Sequence, residues 1–330
     1  MAMQPGTSGA EDLLAPALPT TQAFDPYADP TLTQPQFDPN PGSPTDPGLQ
    51  PLFTETTFGQ WPRFLQQLRF RETWLARNGA KGVGWTTSEL SGTFMVPIFF
   101  LPQNAPLMIS PGFALHFTDG PVSSTGADLP ARLYDGYVDV GWTPQVTRTM
   151  SADIGIRGGL YTDFGHVVAD SFRLEGRGIA VLKTSDTMQW RAGVIYINRV
   201  GIKLLPTGGL VWTPGGPNGN VRFDILFPNP KFSFRVFSLR STDIWWYLAG
   251  EYGGGSWTIQ RGGVVPGAPA NDRFAYNDIR IISGLEWTGY YGLRGFAEAG
   301  WVLAREIDYV SNAFDTKPPQ TVMVRGGITY

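Results

Sequence analysis

The chain has no cysteine and only two histidines among its 330 residues. Without Cys there is no disulfide, no thiolate nucleophile and no Cys-ligated zinc or iron–sulfur centre. His116 and His166 alone offer little to a His-based metal site. Long apolar runs are missing too. The densest, Met95 to Leu101, falls far short of the roughly 18–20 residues that a membrane-spanning helix needs. Neither sign of charge is in large excess: 25 Lys and Arg against 28 Asp and Glu leave −3. Binding along a phosphate backbone needs a basic surplus, so nucleic acid is excluded as the main partner. A cofactor cradle is also absent. Gly215-Gly216-Pro217-Asn218-Gly219 has no Lys-Ser or Lys-Thr after it and reads as a turn.

One absence is local. Residues 1–62 contain no Lys or Arg, but seven acids (Glu11, Asp12, Asp25, Asp29, Asp38, Asp46 and Glu55) and 12 of the 28 prolines. Four of those prolines follow Asp directly, at Pro26, Pro30, Pro39 and Pro47. Such composition cannot bury a core, and the stretch is expected to be a disordered, acidic, Pro-rich tail. The Asp-Pro repeats lack the Gly turn and ligand rhythm of a calcium loop. From residue 63 onward the balance reverses to 25 − 21 = +4. The expected domains are therefore a tail over 1–62 and a folded unit over 63–330. No basic n-region and apolar h-region open the chain, so an exported protein would carry its leader outside this sequence.

What the folded part has in abundance is glycine, aromatics and alternation. Val221, Phe223, Ile225 and Phe227 alternate with Arg222 and Asp224; Ile154 and Ile156 alternate with Asp153 and Arg157; Ile279 and Ile281 alternate with Asp278 and Arg280. A period of two marks strands with one apolar face. About fourteen such segments are legible: 64–77, 85–100, 106–118, 131–144, 149–162, 171–184, 187–198, 203–213, 219–228, 231–240, 243–258, 274–288, 291–306 and 319–330. Most exceed the usual ~5–6 residues of a globular strand and reach the ~9–11 that cross a bilayer obliquely. Short links such as Ser185-Asp186 and Ser241-Thr242 tend to alternate with longer ones such as 119–130, 163–170 and 259–273. That is the layout of a transmembrane up-and-down antiparallel β-barrel, with both termini on the short-turn, periplasmic side. Trp85, Trp142, Trp190, Trp212, Trp245, Trp246, Trp287, Tyr290 and Tyr291 fall near segment ends and are expected to form interfacial girdles. The last segment carries Val322, Val324, Gly326, Ile328 and Tyr330 in one phase, like the C-terminal signal read by the outer-membrane assembly machinery. Outer-membrane lipid and that machinery are the expected partners.

Two stretches carry a resemblance. One is Ile202-Lys203-Leu204-Leu205-Pro206-Thr207-Gly208-Gly209-Leu210-Val211-Trp212, followed by Val221 to Lys231; the other runs from Pro111 to Phe117 and from Asp128 to Asp135. With these the chain resembles an uncharacterised outer-membrane β-barrel family common in planctomycete-type bacteria. The resemblance covers roughly 63–330, and it implies location and architecture, not an activity.

In a transmembrane barrel the apolar phase faces lipid and the polar phase the lumen. The expected lumen lining is then Asp135, Asp139, Asp153, Arg157, Arg173, Glu175, Arg177, Arg222, Asp224, Asp278, Arg280, Glu286, Arg294, Glu298 and Arg325. Both signs are present and Arg outnumbers Lys, which suits bidentate pairing with carboxylates. Such a lining serves either a porin-like passive pore or a structural barrel cross-linked through its lumen. No catalytic residue, cofactor or metal is expected. The competing readings are a secreted soluble β-sandwich or barrel that binds carbohydrate, and an outer-membrane hydrolase built on His166 with Asp163, Asp170 and Ser171. No Gly-x-Ser-x-Gly elbow supports the latter. Three features sit awkwardly in a barrel: Pro97, Pro111 and Pro206 inside strands, Glu72 on the lipid phase, and Gly254-Gly255 inside the eleventh segment.

Overall fold

The structure, a computed structural model, describes residues 64–96, 106–121, 129–216, 219–239, 242–261, 269–288, 293–312 and 315–330. The acidic segment 1–62, Pro97, Tyr290 and Tyr291 lie outside them. Fourteen strands follow one another: β1 Leu65–Leu75, β2 Gly84–Val96, β3 Leu107–Asp119, β4 Arg132–Trp142, β5 Met150–Thr162, β6 Phe172–Ser185 and β7 Met188–Tyr196, then β8 Leu204–Trp212, β9 Val221–Phe227, β10 Lys231–Leu239, β11 Thr242–Gln260, β12 Asn271–Thr288, β13 Arg294–Tyr309 and β14 Thr321–Thr329. Each pairs antiparallel with its sequence neighbour. β14 returns to β1 in register from Arg69↔Thr329 to Leu75↔Met323, which closes the barrel. Every alternating segment read from the sequence is a strand, with ends shifted by a few residues.

Closure satisfies the backbone groups that an open sheet would leave at its edges. The polarity of the wall is the reverse of a soluble barrel's. Phe70, Trp74, Leu90, Phe113, Ile156, Leu174, Val194, Ile225, Ile281, Trp301 and Val324 are exposed on the outside, while Arg71, Glu89, Asp139, Arg280 and Arg325 are buried within. A single closed sheet with apolar residues outward is not a sandwich, and its buried apolar cluster, including Trp85, Trp257, Phe274 and Tyr276, lies inside the barrel. No helix is long and apolar enough to cross a membrane.

The awkward residues are accommodated locally. Pro111 lies where the β2–β3 ladder skips from Ser91↔Gly112 to Phe94↔Ile109, so no N–H is missed there. Thr93 Oγ1 and Ser110 Oγ, 2.9 Å apart, bridge that gap with side chains. Pro206 pairs with Val194 of β7 but precedes the start of the β8–β9 ladder at Gly208, because β9 is short. Both prolines thus use a local free edge rather than the bulge expected for a closed sheet. Glu72 stays on the outer face, half-buried between Ser88 and Gly326, two small neighbours. Gly254 does not break β11. Its φ of +114° and its closeness to the Tyr276 carbonyl, 1.8 Å from where a Cβ would stand, let β11 press against β12 as it turns inward.

The inward turn has a large consequence. β11 and β12 are the longest strands, at 19 and 18 residues, and their loop-side halves are buried on both faces. There β11 reaches β5: Thr258 pairs with Thr162, Asp163 donates its N–H to the Thr258 carbonyl at 3.3 Å, and the Gln260 N–H reaches Asp163 Oδ2 at 2.8 Å. This contact divides the loop end of the barrel into two rings, one made by β11–β14 with β1–β5 and the other by β5–β11.

Candidate functional site

The inward face of the barrel carries its chemistry. Of the fifteen residues expected to line the lumen, thirteen are buried, and Arg222 and Arg294 are half-buried. Strand pairing places most of them in ion pairs. Arg157 on β5 grips Asp139 of β4 at 2.8 and 3.2 Å. Arg177 on β6 bonds Asp153 at 2.9 Å and leans on Asp139 at 3.4 Å. Arg222 holds Asp224 at 3.0 Å, and Arg280 holds Asp278 at 2.8 Å. Glu286 meets Lys231 at 2.6 Å. Asp135 has no Arg partner; it accepts from Trp257 Nε1 at 2.5 Å and sits 3.0 Å from His116 Nε2.

The hub is a residue outside the lining expected from sequence. Glu251 on β11 accepts from Arg325 of β14 at 2.6 Å and from Arg280 of β12 at 2.9 Å. Arg325 also bonds Glu298, to which the Tyr247 hydroxyl donates. Beside it Arg71 pairs with Glu89, which accepts from the Tyr137 hydroxyl at 3.1 Å. Glu251 shares a phase with Tyr247 and Trp257 and so was legible as inward, but the Trp245-Trp246 pair and the Gly253-Gly254-Gly255 run obscured the alternation around it. Charges this deep are costly to desolvate and are tolerated only in well-bonded sets.

Toward the loop end the first ring is filled by aromatics. Trp85 stacks on Tyr276 with centroids 5.2 Å apart and packs against Trp257 at the same distance; Phe274 and Tyr309 extend the cluster. This corrects one expectation: Trp85 is no girdle residue but a buried part of this plug. Trp190 and Trp212 do face outward. The wall from β6 to β10 is more open. Lys183, Gln189, Arg191, Thr207, Arg222 and Arg235 on its inner phase are half-buried rather than buried, and four of these six are cationic.

The hydrolase constellation does not assemble. His166 is exposed, Asp163 accepts from the Gly165 and Gln260 N–H groups, and Ser171 Oγ accepts from Val168. His116 does lie in a Thr87–His116–Asp135 chain, with Thr87 Oγ1 2.8 Å from Nδ1. The order mimics a nucleophile, base and acid. However, Trp85 Nε1 also donates to Nδ1 at 3.3 Å, so the nitrogen that would take the Thr87 proton is already engaged by the indole. All three residues are buried inside the plug, where the chain knits β2, β3 and β4 together. Among the described residues no group of His, Asp and Glu could hold a metal ion.

No family model matches the chain, and no curated protein matches it. Solved structures with similar coverage are outer-membrane β-barrels. A KdgM porin in complex with disordered oligogalacturonate is 9% identical over 80% of this chain and 98% of that one, with a TM-score of 0.35. The NanC porin is also 9% identical over 80% and 98%, at 0.36. The beta domain of the Bordetella autotransporter BrkA is 10% identical over 80% and 97%, at 0.37. At these scores the function of this chain rests on its own residues, and those describe a closed fourteen-stranded barrel, apolar outside and charged within.

Proposed function

We propose that the chain is a porin-like barrel of the bacterial outer membrane that passes small solutes passively along the β6–β10 side of its lumen. The observation that carries this reading is the inverted polarity of a closed wall: large apolar side chains exposed outside, charged side chains inside. In water such a surface would far exceed the few hundred Å² of apolar patch that soluble proteins tolerate; in lipid it is the surface required. The Glu251 hub and the aromatic plug support a narrow passage over a wide one, because they occupy the β1–β4 and β11–β14 side. The resemblance to the planctomycete-type barrel family accords with this location, as does the aromatic end of β14 for recognition by the barrel assembly machinery. Purified full-length chain should need detergent to stay monodisperse, migrate faster on gels unheated than boiled, and give small, discrete conductance steps in planar bilayers. Stable monomers in plain buffer would overturn the membrane reading, and a folded but silent barrel would leave only a structural role.

The acidic segment 1–62 offers a gate. Its seven carboxylates complement the Arg residues at the terminus-side mouth, where β1 and β13 start and β14 ends. Deleting 1–62 should raise conductance or abolish closures; unchanged single-channel records would sink the gate.

A further inference from the structure

Nearly every buried cation in the barrel has a carboxylate, a carbonyl or a cluster of acceptors, but one pair of arginines has none. Arg173, the first inward residue of β6, is 6% exposed. Its guanidinium lies over the Tyr161 ring, with Cζ 3.9 Å from the centroid, and its Nε and Nη1 have no hydrogen-bond partner. Arg273 stands opposite Thr258 on the adjoining β11–β12 hairpin, and its Nε is also buried without a partner. The two are brought together by the division of the barrel: Thr258 pairs with Thr162 and donates through Oγ1 to the Asp170 carbonyl at 3.0 Å, three residues before Arg173. Among the described residues no carboxylate comes within ion-pair distance of either guanidinium. Asp170 attracts Arg273, while Arg173 and Arg273 repel each other.

A buried, unbonded cation is strongly destabilising; Arg173 is one, and the half-buried Arg273 adds a like charge beside it. A surface Lys or Arg could have escaped to solvent; Arg173 is pinned by its stack on Tyr161, with the planar edge of the guanidinium left free to bond. That edge matches two oxygens of a carboxylate, sulfate or phosphate. We infer that Arg173 and Arg273 form a binding site for a small oxyanion at the loop end of the barrel, where β5 and β6 meet the β11–β12 hairpin. The site lies above the more open β6–β10 wall, where Lys183, Arg222 and Arg235 are half-buried in pairs with Asp186, Asp224 and Asp243. The inference rests on the porin-like reading and deepens it by naming the solute class as anionic.

The test uses the detergent-solubilised full chain with inorganic phosphate as the probe, titrated by calorimetry and by phosphorus NMR linewidth. Wild type should bind phosphate saturably, with displacement by sulfate but not by equal chloride. Arg173→Gln and Arg273→Gln should each weaken binding at least tenfold, and Arg148→Gln, on an exposed loop, should change nothing. Absence of saturable binding, or binding unaltered in both Arg variants, would overturn the site. Arg273 is only half-buried, so its variant carries the test if Arg173→Gln does not give the heat-modifiable folded form. A bilayer recording separates the two claims: phosphate binding without conductance keeps the site and rejects the pore, and conductance without phosphate binding does the reverse.

Discussion

At the scale of single residues, the lumen is held by bonds whose members cannot be removed one at a time. Glu251 neutralises Arg280 and Arg325 together. Glu251→Gln weakens the bonds to two buried guanidiniums, each of which keeps one carboxylate, Asp278 or Glu298, and should cost about 1–3 kcal/mol. The loss would appear as a lower urea midpoint for the folded, heat-modifiable band. Replacing a half-exposed rim pair member, Arg235→Gln beside Asp243 at 3.9 Å, should change stability by less than about 1 kcal/mol. Gly254 is constrained for a different reason. Any side chain there meets the Tyr276 carbonyl and a φ of +114°. Gly254→Ala should therefore destabilise by about 1–3 kcal/mol and loosen the β11–β5 contact, read as faster proteolysis at the loop end.

At the scale of elements, each strand separates two environments by parity. Ile281 on β12 is 51% exposed, while its neighbours Arg280 and Ile282 are buried. Ile281→Arg should cost about 2–4 kcal/mol if it faces the bilayer midplane, and should be nearly neutral if that face is in water; refolding into lipid vesicles measures the difference. The strands were legible because alternation sustained over ten or more residues fits a strand between two unlike environments and little else. Their pairing partners beyond the nearest neighbour were not. Nothing in the loop-side half of β11 announces that it leaves the wall and touches β5, since the Gly253-Gly254-Gly255 run carries no side chains to mark a face. Pro111 and Pro206 show a related limit. The sequence marks a missing donor, but only the lengths of β2, β3 and β9 decide whether a donor was needed.

At the scale of the whole molecule, the near-zero net charge conceals a division: an acidic segment without a basic residue, and a barrel of opposite sign. The barrel's cations are themselves divided. In the β1–β4 and β11–β14 half Arg71, Arg280 and Arg325 are buried against carboxylates; on the β6–β10 side Lys183, Arg222 and Arg235 are paired as well but only half-buried, so they stay open to the lumen. A conducting barrel should accordingly favour anions. In a potassium chloride gradient the reversal potential should carry the sign of chloride permeation, and it should shift toward zero in Lys183→Gln/Arg222→Gln. A cation-selective record would contradict the positive lining.

The sequence by itself determined the fourteen strands, their order, the apolar face and the face that carries charge, because side-chain parity is local and repeats along each strand. Thirteen of the fifteen charged residues named from it are buried. Only the tertiary structure decided which charges meet. Glu251 became the hub, Trp85 joined a plug instead of a girdle, and Arg173 was left without a carboxylate, because those outcomes depend on where β11 and β12 bend into the lumen. That bend is set by contacts between β5 and β11, whose paired residues Thr162 and Thr258 lie nearly a hundred positions apart.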